Sequence, residues 1–453
     1  MDVIIIGYGK VGEALVNQLT YEQHNVTVID CHDFSAQVEQ NDAAFIKGNG
    51  AKADILKIAG CERHPLLIAV TSSDELNILA CSIGKMLGAS ATIARVRNPD
   101  YSSQIHLMKK SLGIDMCINP DLTATGEILK LLRFPSAMTV DSFTRGYVEI
   151  VSYRLKENSI LDNVALYNLK NTFPANILVC AVERDGKVHI PTGDFVLHSG
   201  DRISIIAKRS EIEKFFKQTG TLNKRKIKNV LIIGGSRIGF YLSNELIKCG
   251  IGVTLIEQNE DKCEELTVAG LSKKVNLLLG DGSNADFLDE HNISSHDAFI
   301  SLTGIDEENI VMAMYAAGIS DIYKVIAKVN RSSFLNLVKN TDTETYISPK
   351  LICANQIVQY VRAVQNSVGS NVETLHTIVD DKIEALEFIV KNGSKSTGIP
   401  LKHLNFKKTV LVACITRKGE VITPGGDDTI EVGDSVIIVT TTKGLNDLDD
   451  ILK

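Results

Sequence analysis

The residues best suited to chemistry are concentrated at the amino terminus. Val3–Ile6 is a short apolar run of strand character. Gly7, Gly9 and Gly12 follow it in G-x-G-x-x-G spacing, with Tyr8, Lys10 and Val11 between them. Such a triplet carries meaning only with a strand before it, an amphipathic helix after it and an acid closing the next strand. All three are present: Val11, Ala14 and Leu15 have helical spacing, and the run from Val26 ends on Asp30. Gly7 permits a tight turn, Gly9 lets backbone approach a pyrophosphate, and Gly12 lets the helix pack close to the sheet. The helix N-terminus offers free N–H groups and positive partial charge to phosphates. Asp30 is placed to accept hydrogen bonds from both hydroxyls of an adenine-side ribose. Its charge repels a 2′-phosphate, so NAD(H) is favoured over NADP(H).

A second copy of this apparatus occurs at Gly234, Gly235, Ser236, Arg237, Ile238 and Gly239, with Glu257 in the place of Asp30. Ser236 stands where Gly9 stands and brings a Cβ into the phosphate approach. Two readings remain open, a second nucleotide site of different preference or a degenerate structural copy. Around the first copy, Asn49 follows the third apolar run, near the expected adenine. Thr71 and Ser72 follow the fourth, at the carboxyl edge where doubly wound sheets bind ligands. Their hydroxyls suit a nucleotide, and Ser72 or Ser73 equally suits a helix cap. Arg95 ends the fifth run, with Lys328 as its repeat equivalent. A cation there suits phosphates, a partner subunit or a surface ion pair.

These landmarks belong to a duplication of the whole chain. Val26–Asp30 matches Val253–Glu257, Ala53–Leu56 matches Ala285–Leu288, Thr71–Asn77 matches Thr303–Asn309, and Gly186–Asp201 matches Gly419–Asp434. The near-constant offset marks a tandem of domains, not a solenoid. In each half, short apolar runs alternate with helical periodicity, which predicts an α/β fold: a Rossmann-like, doubly wound parallel sheet. The predicted strands of the first half are Val3–Ile6, Val26–Asp30, Ala44–Lys47, Leu66–Thr71, Thr92–Val96 and Ile114–Ile118. From about Thr139 the pattern shifts to period two with turn signals at Asp185-Gly186 and Gly200-Asp201, predicting a small α+β domain. The expected domains are 1–132, 139–222, 226–360 and 370–453, with Thr219–Lys228 as the solvated connector between halves.

Composition sets the limits. The 453 residues leave room for about two to four domains. They carry 48 Lys plus Arg against 55 Asp plus Glu, a net charge of −7 with no basic block, which excludes general nucleic-acid binding. No apolar stretch is long enough to span a membrane, and the amino terminus has no secretory leader pattern. The nine cysteines are scattered without a C-x-x-C pair, as expected of free thiols in a reducing compartment. Catalytic signatures are missing. The ten histidines show no signature arrangement, and His64 and His296 read as turn residues before a strand. No metal spacing, phosphate loop or nucleophile elbow occurs. Ligand-type domains without catalytic groups point to a sensor. The rival reading is an NAD-dependent oxidoreductase with its substrate site in the small domains.

The segments Ile-Ile-Gly7-Tyr-Gly-Lys-Val-Gly12, Val26–Asp30, Gly48-Asn-Gly50, Ala69–Glu75 and Ile93-Ala-Arg95, in a duplicated chain of this length, resemble the TrkA family of RCK (KTN) regulatory subunits of Trk potassium uptake systems. The resemblance implies RCK N-terminal domains for the sheets, TrkA-C domains for the small units, and a crossover joining them at Leu132–Ala137. It implies a non-enzymatic, peripheral protein on the cytoplasmic face of a potassium-translocating membrane subunit, assembled as a ring-like tetramer of itself. It implies NAD+ or NADH as ligand, with ATP or ADP in some members. The implied contacts are Gly7 to Val11, Asp30, Asn49, Thr71, Ser72 and Arg95, then Gly234 to Ile238, Glu257, Asp281 and Lys328.

Overall fold

The computed structural model describes residues 1–98, 101, 109, 111–157, 159–169, 175–219, 227–331, 334, 345–366, 372–379, 382–445 and 447–453. Most of the connector expected at Thr219–Lys228 lies outside these residues. The first sheet comprises β1 (Asp2–Ile6), β2 (Asn25–Asp30), β3 (Ala44–Lys47), β4 (Leu66–Ala69), β5 (Ala91–Arg95) and β6 (Met116–Ile118). Its order is β3-β2-β1-β4-β5-β6, and every pairing is parallel. The reversal at β1/β4 opens a crevice at the strands' carboxyl ends, where ligands of such sheets bind. A five-stranded antiparallel sheet follows, made of β7 (Thr139–Phe143), β8 (Val148–Arg154), β9 (Leu178–Arg184), β10 (Lys187–His189) and β11 (Arg202–Lys208).

The second half repeats both sheets. Strands β12 (Asn229–Ile233), β13 (Gly252–Glu257), β14 (Asn276–Leu279), β15 (Ala298–Ser301), β16 (Lys324–Lys328) and β17 (Tyr346–Ile347) are ordered β14-β13-β12-β15-β16-β17. Strands β18 (Val372–Ile378), β19 (Ile383–Ile389), β20 (Val410–Arg417), β21 (Glu420–Ile422) and β22 (Ser435–Thr440) are ordered β18-β19-β22-β20-β21. Equivalent strands hold equivalent places, so the tandem duplication extends to topology. The repeated Gly-Asp signal has a structural role. Asp201 takes a bidentate pair from Arg184 at 2.7 and 2.7 Å, and Asp434 takes one from Arg417 at 3.0 and 2.8 Å. Each pair closes the turn before the last strand of its sheet.

The apolar runs of the parallel strands are buried on both faces. In the first sheet Ile4, Ile6, Leu67 and Ala69 meet the helices Ala53–Ile58 and Asp74–Leu87. Val3, Ile5, Val28 and Ile68 meet the helix of the glycine turn, Lys10–Tyr21, through Val11, Leu15 and Leu19. The same core takes Cys353, Ala354, Ile357, Val358 and Val361, which come from the other half. They lie on its crossover helix, Pro349–Asn366. The exchange is reciprocal. The first crossover helix, Pro120–Arg133, places Ala124, Ile128 and Leu131 in the core of the second sheet with Val230, Ile238 and Leu242. Each half thus completes the other's hydrophobic core.

Polar ties follow the same exchange. Arg362 grips Glu22 at 2.6 and 3.0 Å, and buried Lys324 donates to the Ala137 carbonyl at 2.6 Å. The two small domains share a core of their own, with Phe143, Ile150 and Ile206 against Ile383, Ala385 and Val439. Truncating Ile357 to Ala should therefore cost about 2–5 kcal/mol. The loss should show in hydrogen exchange as weakened protection of β1 and of Lys10–Tyr21, far away in sequence.

Each small domain also buries a carboxylate at its joint with the crossover helix. Glu149, 2% exposed, lies 3.6 Å from Arg133, and one of its oxygens has no hydrogen-bond partner among the described residues. Glu384 lies 4.0 Å from Arg362 in the equivalent place. Burial pushes the Glu149 carboxyl above its ordinary value, and the neighbouring arginines pull it only partly back. A folded-state value above the unfolded one means that stability falls as pH rises from the unfolded value, about 4.3, through the folded one. Glu149→Gln should accordingly raise the Tm at about pH 7.5 and lose that advantage near pH 4, as read by thermal unfolding.

Candidate functional site

The first site is built on one turn. Gly7 follows β1 with φ +99°, and a Cβ there would meet the Thr71 backbone nitrogen at 2.9 Å. Gly12 is required for a different reason, because its Cβ would fall 2.0 Å from the Gly7 carbonyl oxygen. Gly9 is unlike both. It caps the helix Lys10–Tyr21 in extended conformation with no side-chain cap, and a Cβ would meet nothing within 4 Å. The protein itself does not need glycine at this position, which leaves open space in front of an uncapped helix N-terminus. Lys10 is exposed at the start of that helix, and Val11 turns into the core.

Asp30 ends β2 beside this turn. Its Oδ2 accepts the Tyr8 amide at 2.7 Å and its Oδ1 accepts the His32 amide at 2.9 Å. Burial pushes the carboxyl up, but these donors outweigh it and hold Asp30 below its ordinary value, ionised at neutral pH. The expected role of this carboxylate is to accept both hydroxyls of a ribose. Each of its oxygens already carries one backbone donor, so a ribose must use the remaining lone pairs, about two of roughly four on a carboxylate. The Tyr8 ring is buried against Phe34, with centroids 5.3 Å apart.

Along the same carboxyl edge, exposed Asn49 follows β3 and accepts the Ala51 amide at 2.9 Å. Thr71 follows β4, with its amide and hydroxyl both donating to Asn77 Oδ1 at 2.8 and 2.7 Å. The helix cap is Ser73, which accepts the Leu76 amide at 3.1 Å, and Ser72 stays exposed beside it.

Two buried residues that the sequence reading did not single out fasten this edge. Asn77 donates to the Thr71 and Arg95 carbonyls at 3.2 and 2.9 Å, and Asp74 accepts the Arg97 and Asn98 amides at 2.8 and 2.7 Å. The second half repeats both, with Asn309 on Thr303 and Lys328 and with Asp306 on Asn330 and Arg331. The signal was present as a T-x-x-D-x-x-N spacing common to the two copies.

The second turn keeps the frame with changed surfaces. Gly234 has φ +101°, and a Cβ on Gly239 would fall 2.5 Å from the Gly234 carbonyl oxygen. The Gly235 amide donates to Glu257 at 2.7 Å, as Tyr8 does to Asp30. Gly235 leaves no room for a side chain, since a Cβ would meet Leu266 at 2.6 Å. Ser236 caps the helix Arg237–Lys248 by accepting the Gly239 amide at 3.3 Å, so one donor that is free in the first site is taken here. Arg237 is exposed and Ile238 buried. Asp281 holds Ser283 through its amide and hydroxyl at 2.9 and 2.7 Å. Gly234, Gly235, Ser236, Glu257, Asp281 and Ser283 line a cavity of about 320 Å³ with Lys262, Thr303 and Glu308, whereas Arg237, Ile238, Gly239 and Lys328 do not line it.

Arg95 and Lys328 sit at the seam between the halves. Arg95 is no surface ion pair. Burial lowers its pKa, its Nε has no partner among the described residues, and Cys353 of the other half's crossover helix is among its electrostatic neighbours. Lys328 donates to the Leu302 carbonyl at 3.0 Å. Burial lowers its pKa, while Asp121 of the first crossover helix and Lys10 of the first turn act on it. The fixed ion pair at this edge is Arg97 to Asp121, at 2.9 Å. The two histidines are turn residues with different fates: exposed His64 meets the Gly88 carbonyl at 2.8 Å, and buried His296 meets the Thr254 hydroxyl at 3.1 Å.

Comparison with known proteins agrees with this architecture. The TrkA-N domain family matches residues 3–120 and 230–349, and the TrkA-C domain family matches 150–220 and 385–453. The chain is 30% identical over 455 residues to a Trk system potassium uptake protein TrkA homolog of Archaeoglobus fulgidus, covering 100% of both. It is 28% identical over 449 residues to the Trk system potassium uptake protein TrkA of Haemophilus influenzae, covering 98% of this chain and 96% of that one. Among solved structures, the GsuK RCK domain superposes with a TM-score of 0.62 at 15% identity, over 98% of this chain and 92% of that one. The GsuK channel bound to NAD superposes with 0.62 at 14% identity, over 98% and 77%. With matching domains in both halves and a relative aligned end to end, the chain belongs to the TrkA family, the non-catalytic RCK regulatory proteins of Trk potassium uptake.

Proposed function

We propose that the first half binds NAD(H) as a signal and that occupancy adjusts potassium flux through a Trk-type membrane subunit. The four units taken to act in this are 1–132, 139–222, 226–360 and 370–453. The observation that carries the reading is the space at Gly9: an uncapped helix N-terminus faces it, and ionised Asp30 flanks it. The residues fit a dinucleotide. Gly7 and Tyr8 shape the turn, the helix N-terminus at Gly9, Lys10, Val11 and Gly12 offers its free N–H groups to the pyrophosphate, Asp30 takes the ribose, Asn49 borders the adenine, and Thr71 and Ser72 border the nucleotide on the other side of β1. A nucleotide bound there supplies charge and contacts, and no bond in it changes. The second site, with Glu257, Asp281 and the Ser236 cap, suits a smaller adenine nucleotide such as ATP or ADP. Its cavity of about 320 Å³ lies at the low end of ligand pockets, roughly 300–1,000 Å³.

Gating follows from linkage. A nucleotide that prefers one arrangement of the halves shifts the population toward it by its differential affinity, typically about 1–3 kcal/mol per site. Arg95 and Lys328 stand at the seam where such a shift is felt, and self-association into a tetrameric ring sums the shifts. No helix among the described residues is long and apolar enough to cross a membrane. In this proposal the protein acts by docking, peripherally, on the cytoplasmic face of its partner.

Gly9→Val tests the site cleanly, since no protein atom lies in the way of its Cβ. Calorimetry should show NADH binding abolished, with a Tm within a few degrees of the parent. Asp30→Ala should weaken binding about ten- to a hundredfold, the loss of hydrogen bonds to a charged group. Unchanged affinity in both variants contradicts the assignment. The regulatory role is tested with the membrane subunit in liposomes: potassium flux should change when this protein and NADH are added together, and flux indifferent to nucleotide excludes gating.

A further inference from the structure

On the reading that Asp30 belongs to a nucleotide site, the residues beside it hold a second chemistry. Asp30, Cys31 and His32 are consecutive, and their ligand atoms all lie within 4.8 Å of one another. The Cys31 Sγ is 3.4 Å from His32 Nδ1, and His32 Nδ1 is 3.4 Å from Asp30 Oδ1. Zinc binds His nitrogen and carboxylate oxygen at about 2.0–2.2 Å and thiolate at about 2.3 Å in tetrahedral geometry. Those bond lengths require edges of about 3.3 Å for N···O and about 3.5 Å for N···S. The two distances in this structure match them. The amide donors to Asp30 hold its carboxylate in place, and the His32 ring lies edge-on to Phe34 with centroids 6.4 Å apart.

We propose that Asp30, Cys31 and His32 bind a thiophilic divalent cation, zinc by its ligand chemistry, on the rim of the first nucleotide site, so that metal and dinucleotide exclude each other. Thiolate, imidazole and carboxylate form the mixed donor set that zinc takes, with a fourth position left to solvent. On binding, the Cys31 thiol gives its proton to the medium and its sulfur forms the metal bond. The two negative ligands balance the ion's charge. Exclusion follows because the Asp30 lone pairs that a ribose needs are those turned to the metal. The second half has Gln258 and Asn259 after Glu257 and cannot form the set, so it serves as a control within the chain.

The test uses the full chain with its thiols kept reduced. Zinc chloride alone should titrate one site calorimetrically, and cobalt should give a thiolate-to-metal charge-transfer band. Cys31→Ser and His32→Ala, both at exposed positions, should each weaken zinc at least about tenfold with the Tm unchanged. Zinc should lower NADH affinity at the first site in the parent and not in Cys31→Ser. No zinc heat in the parent, or equal heat in both variants, overturns the metal site. Zinc binding that leaves NADH affinity untouched overturns the exclusion. Zinc binding in a chain that never takes NADH leaves the metal site standing and removes the nucleotide reading instead.

Discussion

The site depends on a carboxylate that accepts a backbone amide across a glycine turn. In the first half the bond runs from the Tyr8 amide to Asp30, in the second from the Gly235 amide to Glu257, each at 2.7 Å. It joins the ends of two neighbouring parallel strands where the chain must reverse into a helix. Charge-assisted bonds of this kind are roughly twice as strong as neutral ones. Without this one, the turn amide at the crevice would lack a partner and the glycines would have no fixed shape to serve. The acid that a motif search reads as a ribose contact is thus first a structural fastener. Ligand recognition draws on the lone pairs that remain.

A second constraint acts at the level of the whole chain. Neither parallel sheet completes the cover of its second face alone, because the crossover helix made by each half packs beside the glycine-turn helix of the other. A single sheet domain would leave that core open at the missing helix, at roughly 25 cal/mol per Å² of apolar surface. The two halves therefore form one folded unit joined by packed side chains. Arg362 holding Glu22 and Lys324 holding the Ala137 carbonyl keep that contact in register.

Fold and site were legible in the sequence to different depths. The parallel sheets announced themselves because strands buried on both faces read as unbroken apolar runs, and the duplication announced itself by constant offset. The glycine turns were legible because Gly7 has a positive φ and Gly12 answers crowding from the Gly7 carbonyl, both matters of nearby chain. The exchange of crossover helices was not legible. Ala124, Ile128, Ile357 and Val361 have ordinary helical spacing, which says that a face is buried but not which sheet buries it. Asn77 and Asp74 escaped notice for a related reason. Apart from the Thr71 hydroxyl, their partners are backbone groups of Thr71, of β5 and of the loop after it, and backbone partners leave no mark on residue type. The surface ion pair among the readings of Arg95 fails for a cause the sequence does not show locally, since an electrostatic neighbour of this buried cation is Cys353 of the other half's helix, hundreds of positions away.

The duplication has kept the scaffold and released the surfaces. The paired carboxylate, the buried Asn and Asp of the T-x-x-D-x-x-N segment and the Arg–Asp clasp of each small domain occur twice with nearly equal geometry. What differs lies around the turns or at the seam: Gly9 against Ser236, Tyr8 against Gly235, the Cys31–His32 pair against Gln258 and Asn259, Glu22 against Cys249. A homodimer of single-copy subunits would be bound to two identical sites, and a mutation that improved one would alter both. A fused pair escapes that restriction. On the function proposed above it holds two unlike ligands across interlocked cores, and those cores are the route by which one site's occupancy would reach the other. Reciprocity then follows, since whatever one ligand does to the second, the second does to the first in equal measure.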